Sequence, residues 1–188
     1  YQTATYQQEG PGEHKGFDYS RTNHPTRKRL EGVLAELEGA SHCAVFGSGL
    51  AAEHAILQAY LKPGKAIVVP TDVYGGTFRM LHRVFEPIGC EVISVDFDDL
   101  VAVERAIAPN TALVWLESPT NPRLLVYDIA AVARISHAKG ALVVVDLQSG
   151  DARRVLDGHT STQPESGVVV STDGRELRRP DGRGADIP

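Results

Sequence analysis

Between Thr26 and Asp146, apolar residues follow two rhythms that take turns along the chain. Leu30, Val33, Leu34 and Leu37 recur at intervals of three and four, the spacing that lines one face of a helix. Pro25 sits near the first turn of that helix, Thr26 or Asn23 is a suitable cap, and Gly39 ends it. His42 to Phe46 then reads as a short strand, and Gly47-Ser48-Gly49 turns into a helix through Tyr60. Pro63-Gly64 leads into a strand over Ala66–Val69, and a helix follows near 75–86. Strands at 90–95, 112–116 and Ala141–Val145 alternate with helices at 99–108 and Ile129–Lys139.

Ile67-Val68-Val69 and Leu142-Val143-Val144-Val145 are apolar at every position rather than at every second one. That is the mark of strands covered on both faces, as in a parallel sheet between helices. The pattern therefore predicts a three-layer α/β/α domain with a mostly parallel sheet. Ligands of such sheets bind beyond the carboxyl ends of the strands. Gly47, Thr71, Asn121 and Asp146 follow predicted strand ends, so they are expected to converge on one crevice.

The flanks read differently. Residues 1–25 are polar and rich in Gly, Gln and His, which predicts an extended arm. After Leu147 there is no aromatic residue, and Gly, Pro, Arg and Asp come at close intervals. Such a segment buries too little to offset its ordering entropy, so 147–188 is expected to be a divergent, disordered tail. A chain of 188 residues is long enough for one domain with a substantial core, here placed at 26–146.

A net charge of −5 argues against a nucleic-acid scaffold, and Arg27-Lys28-Arg29 is expected to be a solvated helix face. Cys43 and Cys90 lack metal spacing and suit a reducing compartment. Seven scattered histidines at no ligand spacing give no metal site. No apolar run approaches the roughly 18 residues of a membrane span, and no leader is visible, so a cytoplasmic protein is expected.

Several residues carry candidate chemistry, each with a plainer alternative. Ser48, Gly49 and Leu50 can present N–H groups to a phosphate at a helix start, or simply form a tight turn. The run Gly47 to Ala52 also matches the dinucleotide pattern G-x-G-x-x-A, with Asp72 as a possible ribose acid. Pro70 and Thr71 intervene before that acid, and the dinucleotide reading leaves Tyr74, Asn121 and Asp146 without roles. Tyr74, beside two glycines, can stack on a planar ring or be a core aromatic. Asn121 is either a ligand held between Pro119 and Pro122 or part of an Asn-Pro turn, and Asp146 either grips a ligand or caps the next element. Arg79 is a surface residue or lies near substrate.

Four motifs taken together resemble one family. They are Leu116-Glu117-Ser118-Pro119-Thr120-Asn121-Pro122, Val143-Val144-Val145-Asp146, Tyr74-Gly75-Gly76-Thr77 and Tyr19-Ser20-Arg21. They are similar to the pyridoxal-phosphate (PLP) enzymes of cysteine and methionine metabolism, the trans-sulfuration relatives of cystathionine γ-synthase and γ-lyase. The resemblance implies an incomplete large domain of the aspartate-aminotransferase type (fold type I). It implies C–S bond formation or cleavage on small homoserine- or cysteine-derived amino acids. Tyr74 would stack on the cofactor ring, Asp146 would pair with the pyridine nitrogen, and Asn121 would bond the 3′-oxygen. Ser48, Gly49 and Leu50 would cradle the phosphate, with Arg79 and Glu117 near the substrate. Tyr19 and Arg21 would reach the phosphate of a neighbouring subunit, which implies a homo-oligomer or association with homologous subunits; a solvated arm is the alternative.

The match runs from Tyr1 to Asp146 and stops there. Family members continue with Asn-Thr-Phe where Leu147-Gln148-Ser149 stand here, and have Asn directly before the proline that follows His24 here. They later carry a Ser-x-Thr-Lys motif with the Schiff-base lysine, whereas no lysine occurs after Lys139. Lys15, Lys28, Lys62, Lys65 and Lys139 lie outside the cofactor motifs, so no catalytic lysine is assigned. The chain as written is expected to be inactive and to bind PLP weakly or not at all. A fragment, a frame change near codon 147 and a diverged non-catalytic partner of intact homologues remain open as its origin, and the abrupt change of composition favours the second.

Overall fold

The computed structural model describes residues 1–147 and 167–171. They fall into two compact units that part between Phe46 and Gly47, later in the chain than the composition change at residue 25.

The first unit is not a bare arm. Strands β1 (Gln8–Gly10) and β2 (Glu13–His14) form an antiparallel hairpin, and Thr5 bridges Tyr19. Hydrogen bonds from Tyr6 N to Asp18 O (3.1 Å) and from Ser20 N to Ala4 O (2.8 Å) close the loop, with the Tyr6 and Phe17 rings 5.6 Å apart. Helix α1 (Pro25–Leu37) is capped by His24 rather than by Thr26 or Asn23: the imidazole Nδ1 accepts the N–H of Thr26 at 3.2 Å, and Pro25 takes a first-turn position that needs no donor. No residue of α1 is buried, although its apolar spacing is helical as expected.

The expected strand at His42–Phe46 does not form. A strand exists only through a paired neighbour, and this segment has none; the N–H of Val45 donates instead to the Glu31 carboxylate of α1 at 3.2 Å.

The second unit has the predicted architecture. Its sheet runs β4 (Glu91–Val95), β3 (Ala66–Pro70), β5 (Thr111–Glu117), β6 (Leu142–Leu147) and β7 (Gly167–Ser171). The first four strands are parallel, and β7 adds antiparallel to β6, pairing Val145 with Val169. The remainder of the expected disordered tail lies outside the described residues.

Strand parity explains the layers. Ile67, Val69, Leu113, Trp115 and Val144 face one side, where they pack with Leu57 and Leu61 of α2 (Gly49–Tyr60) and its extension and with Met80 of α3 (Gly75–Met80). Val68, Val114, Leu116 and Val143 face the other, against Val103 of α4 (Leu100–Ala106) and Val132 of α5 (Ile129–Ala138). Trp115 is wholly buried. Each such aliphatic contributes about 1.5–3 kcal/mol of transfer free energy, so the sheet is the main source of stability in this unit.

Helix starts follow side-chain chemistry. Asp99 Oδ1 accepts from Val101 N and Ala102 N, each at 3.0 Å, and Asp128 Oδ1 accepts from Ala131 N at 2.8 Å. Gly64 takes a left-handed φ of +81° in the turn before β3, a conformation glycine adopts without strain. After α3 the chain continues through a π-helical turn (Leu81–Phe85) and a 3-10 turn (Glu86–Ile88).

Candidate functional site

Parallel strands put their carboxyl ends on one edge, and three of them bring the site residues there. The segment after β3 carries Asp72 and Tyr74, the loop after β5 carries Asn121, and β6 carries Asp146 next to its last residue. Glu117 and Asp146 are register partners on β5 and β6, and Ser118 N donates to Asp146 O at 3.1 Å.

Asp146 is 4% exposed, and its Oδ2 is buried without a hydrogen-bond partner among the described residues. Burial pushes its pKa up to about 7, with the Glu53 and Glu117 carboxylates adding to the rise. A carboxylate held dry and unpaired at a strand end is costly on its own, and a cationic partner would relieve it.

Tyr74 precedes α3, with its side chain partly exposed. A Cβ on Gly76 would lie 2.3 Å from Tyr74 Cε1 and 3.1 Å from Leu50 Cδ1, so only glycine lets the ring fold back against the helix start. At the start of α2, the hydroxyl of Ser48 accepts the N–H of Ala51 at 3.2 Å. The N–H groups of Gly49 and Leu50 stand ahead of the first intrahelical bonds, at the positive end of the dipole. Ser48, Leu50, Ala51, Gly76 and Arg79 line an open groove of about 530 Å³ between α2 and α3.

Glu117 takes a different place from that expected of a residue beside substrate. It is fully buried, and its two oxygens accept backbone N–H groups: Oε2 from Tyr74 at 2.6 Å and Oε1 from Asn121 at 2.8 Å. Burial raises its pKa to about 7; the two N–H bonds lower it, while Glu53 and Asp72 raise it. Arg79 is exposed, one turn into α3. Tyr19 and Arg21 belong to the first unit, where Arg21 Nη2 donates to Tyr19 Oη at 3.4 Å and the guanidinium lies 5.0 Å from the ring centroid.

Glu53 and Thr120 were given no role in the sequence, and Asp72 only that of a possible ribose acid. Glu53 is 4% exposed on α2, where its carboxylate accepts the Thr77 hydroxyl at 2.6 Å, and burial raises its pKa. The signal was an acid four residues before Leu57, on the stripe that faces the core. Asp72 and Thr120 form the third acidic contact. Asp72 Oδ2 accepts from Thr120 Oγ1 at 2.5 Å and Arg123 N at 3.1 Å, which folds the loop after β5 back onto the segment after β3. Engaged in this way and 8% exposed, Asp72 is not placed to bind a ribose, which removes the main support for the dinucleotide reading. No Lys, Arg or His of the described residues pairs with Glu53, Glu117 or Asp146. Among the described residues no cluster of His, Cys, Asp and Glu could hold a metal ion, and no helix is long and apolar enough to cross a membrane.

Known proteins share this arrangement. Residues 1–150 match the model of the Cys/Met metabolism PLP-dependent enzymes. A probable cystathionine γ-synthase of Herpetosiphon aurantiacus is 47% identical over 146 residues, which are 78% of this chain and 46% of that protein. A putative cystathionine γ-lyase 2 of Caenorhabditis elegans is 53% identical over 144 residues, 76% of this chain and 36% of that protein. Among solved structures, metB from Corynebacterium glutamicum superposes with a TM-score of 0.74 at 42% identity, covering 78% of this chain and 38% of that one. Cystathionine γ-lyase from Lactobacillus plantarum, complexed with L-serine, gives 0.72 at 36% identity over 79% and 44% of the two chains. The chain thus spans less than half the length of these relatives. With the parallel sheet, the acid at the end of β6 and a family match over 150 residues, the chain belongs to the Cys/Met metabolism PLP-dependent enzymes.

Proposed function

We propose that this chain builds the ring-binding part of a PLP site from an enzyme that forms or cleaves C–S bonds on homoserine- or cysteine-derived amino acids. We propose further that these 188 residues alone hold the cofactor without turnover. The observation that carries the reading is Asp146: a buried carboxylate oxygen with no partner among the described residues, at the carboxyl end of a central parallel strand.

The residues present fit the cofactor. Asp146 Oδ2 can accept the N–H of a protonated pyridine, and the fully buried frame around it fixes the direction. Ser48 uses a lone pair on Ala51 N, which leaves its O–H to donate, beside the N–H groups of Gly49 and Leu50, to a phosphate. Tyr74 would cover a ring face, kept in place by the lack of a side chain on Gly76. The Asn121 amide would donate to the ring oxygen. Tyr19 and Arg21, already paired, would present a guanidinium fork to a phosphate of a second subunit. When bound, PLP supplies an electron sink for carbanions at the substrate α and β carbons. The chain's contribution is to keep the ring nitrogen protonated through Asp146 and to hold the ring plane through Tyr74 and Asn121.

Trp115, the single tryptophan, is the register partner of Val144, two residues before Asp146, so at a separation of about 10 Å its emission can be quenched by a ring bound there. Titration with PLP is expected to quench it saturably and reversibly. Asp146→Asn, which replaces the anion by a neutral amide, should weaken PLP binding by about tenfold or more, the scale of one lost charge-assisted hydrogen bond. Equal affinity in the variant would overturn this reading.

A further inference from the structure

Two of the residues assigned to the ring come from separate loops, and one side chain touches both. Glu117 Oε2 accepts Tyr74 N at 2.6 Å, and Oε1 accepts Asn121 N at 2.8 Å, with no other donor competing for either oxygen among the described residues. Tyr74 follows β3 and Asn121 follows β5, 43 and 4 residues from Glu117. The carboxylate is fully buried, and its β6 register partner is Asp146. We propose that Glu117 is a positioning residue that ties the ring-stacking and ring-edge residues to each other and aligns both with Asp146. The proposal rests on the PLP reading for its purpose, but the coupling between the two loops stands on the chain alone.

The chemistry requires an anion there. An ionised carboxylate accepts at both oxygens, whereas a protonated or amidated side chain keeps only one oxygen that accepts well. The groups facing Glu117 are Glu53 from α2, Asp72 from the segment after β3, and Asp146 from β6. All are acids, so burial first and then the charges of Glu53 and Asp72 oppose its ionisation, and the two N–H groups favour it. Binding a cation against Asp146 would lower that opposition and tighten the grip of Glu117 on both loops.

The test has a cofactor-free arm and a cofactor arm. In the 188-residue chain without PLP, the amide-proton resonances of Tyr74 and Asn121 should shift downfield together as the Glu117 carboxyl group ionises. Independent movement, or none, overturns the proposal without reference to PLP, and this arm needs no variant. In Glu117→Gln, one of the two resonances should move upfield while the other stays, since the amide retains one acceptor. With PLP, that variant should bind about tenfold more weakly and lose at least half of the induced circular dichroism of the bound ring, the signature of a slackened stack. Unchanged affinity and dichroism in a folded Glu117→Gln also overturn it. If the unaltered chain shows the coupled shifts but no PLP binding, the functional reading fails and the coupling survives.

Discussion

Glu53, Glu117 and Asp146 are acids in places where acids are costly, and that cost has a measurable sign. Burial, first of all, raises the pKa of each, to about 7 for Glu117 and Asp146 against ordinary values of 4.5 and 3.8. Each therefore binds its proton more tightly in the folded chain than in the unfolded one. Their contribution to stability is fully present below the unfolded pKa and is lost as pH rises through the folded one, which for Glu117 and Asp146 is about 7. Neighbours in register, Glu117 and Asp146 should titrate as a coupled pair rather than singly. The urea midpoint of the chain without PLP should thus fall between about pH 5 and about pH 8, and the fall should shrink in Asp146→Asn. A midpoint that rises over this range would refute the assignment of buried, unpaired acids. Saturating PLP should offset part of the loss, because its cationic ring pairs with the anion that forms.

The elements that could be read from sequence are those whose identity is local. The continuous apolar runs of β3 and β6 and the helical spacing of α1, α4 and α5 each carry their own signal, so all appear where expected. His42–Phe46 has strand-forming residues but no neighbour to pair with, and no local pattern reveals that. The strand β7 carried a local signal in Val168-Val169-Val170, which the polar composition of the surrounding tail masked, and it pairs with the edge of β6 where a disordered tail was expected. Near the proposed site, the motifs singled out Tyr74, Asn121 and Asp146 as candidates, whereas the Glu117 tie across 43 residues left no sign in the sequence. The apolar face of α1 is a further case: Leu30 is 46% exposed and Val33 is 38% exposed, on a helix that buries nothing. We propose that this face associates with a second copy of this chain. Sedimentation equilibrium should show the chain self-associating, and Leu30→Glu with Val33→Glu should shift it toward monomer. A chain that is monomeric at high concentration would rule the association out.

At the level of the whole molecule, the polarity of the sheet separates the cofactor groups from the lysines. The site occupies the carboxyl ends of β3, β5 and β6. Lys65 directly precedes β3 and Lys139 lies between α5 and β6, so both stand at the opposite edge. Lys139 Nζ donates to Glu104 O at 2.6 Å, and Lys62 Nζ donates to Gln58 O at 2.5 Å past the far end of α2. Across a strand of five residues at about 3.3 Å each, the two edges are some 15 Å or more apart, beyond the reach of a lysine side chain. In the first unit, Lys15 pairs with Glu9 at 3.3 Å, and Lys28 is exposed on α1. None of the five stands among the residues assigned to the ring, where a Schiff-base nucleophile would be needed. Borohydride treatment of the chain with PLP, followed by peptide mapping, should therefore fix no single lysine stoichiometrically, and cystathionine turnover should be undetectable. Quenching of Trp115 should persist in the same sample, because on the proposed reading Asp146, Tyr74 and Asn121 would hold the ring without a covalent bond. Stoichiometric labelling of one of the five lysines, accompanied by turnover, would show that this chain carries a catalytic lysine of its own and would reverse the proposal of binding without reaction.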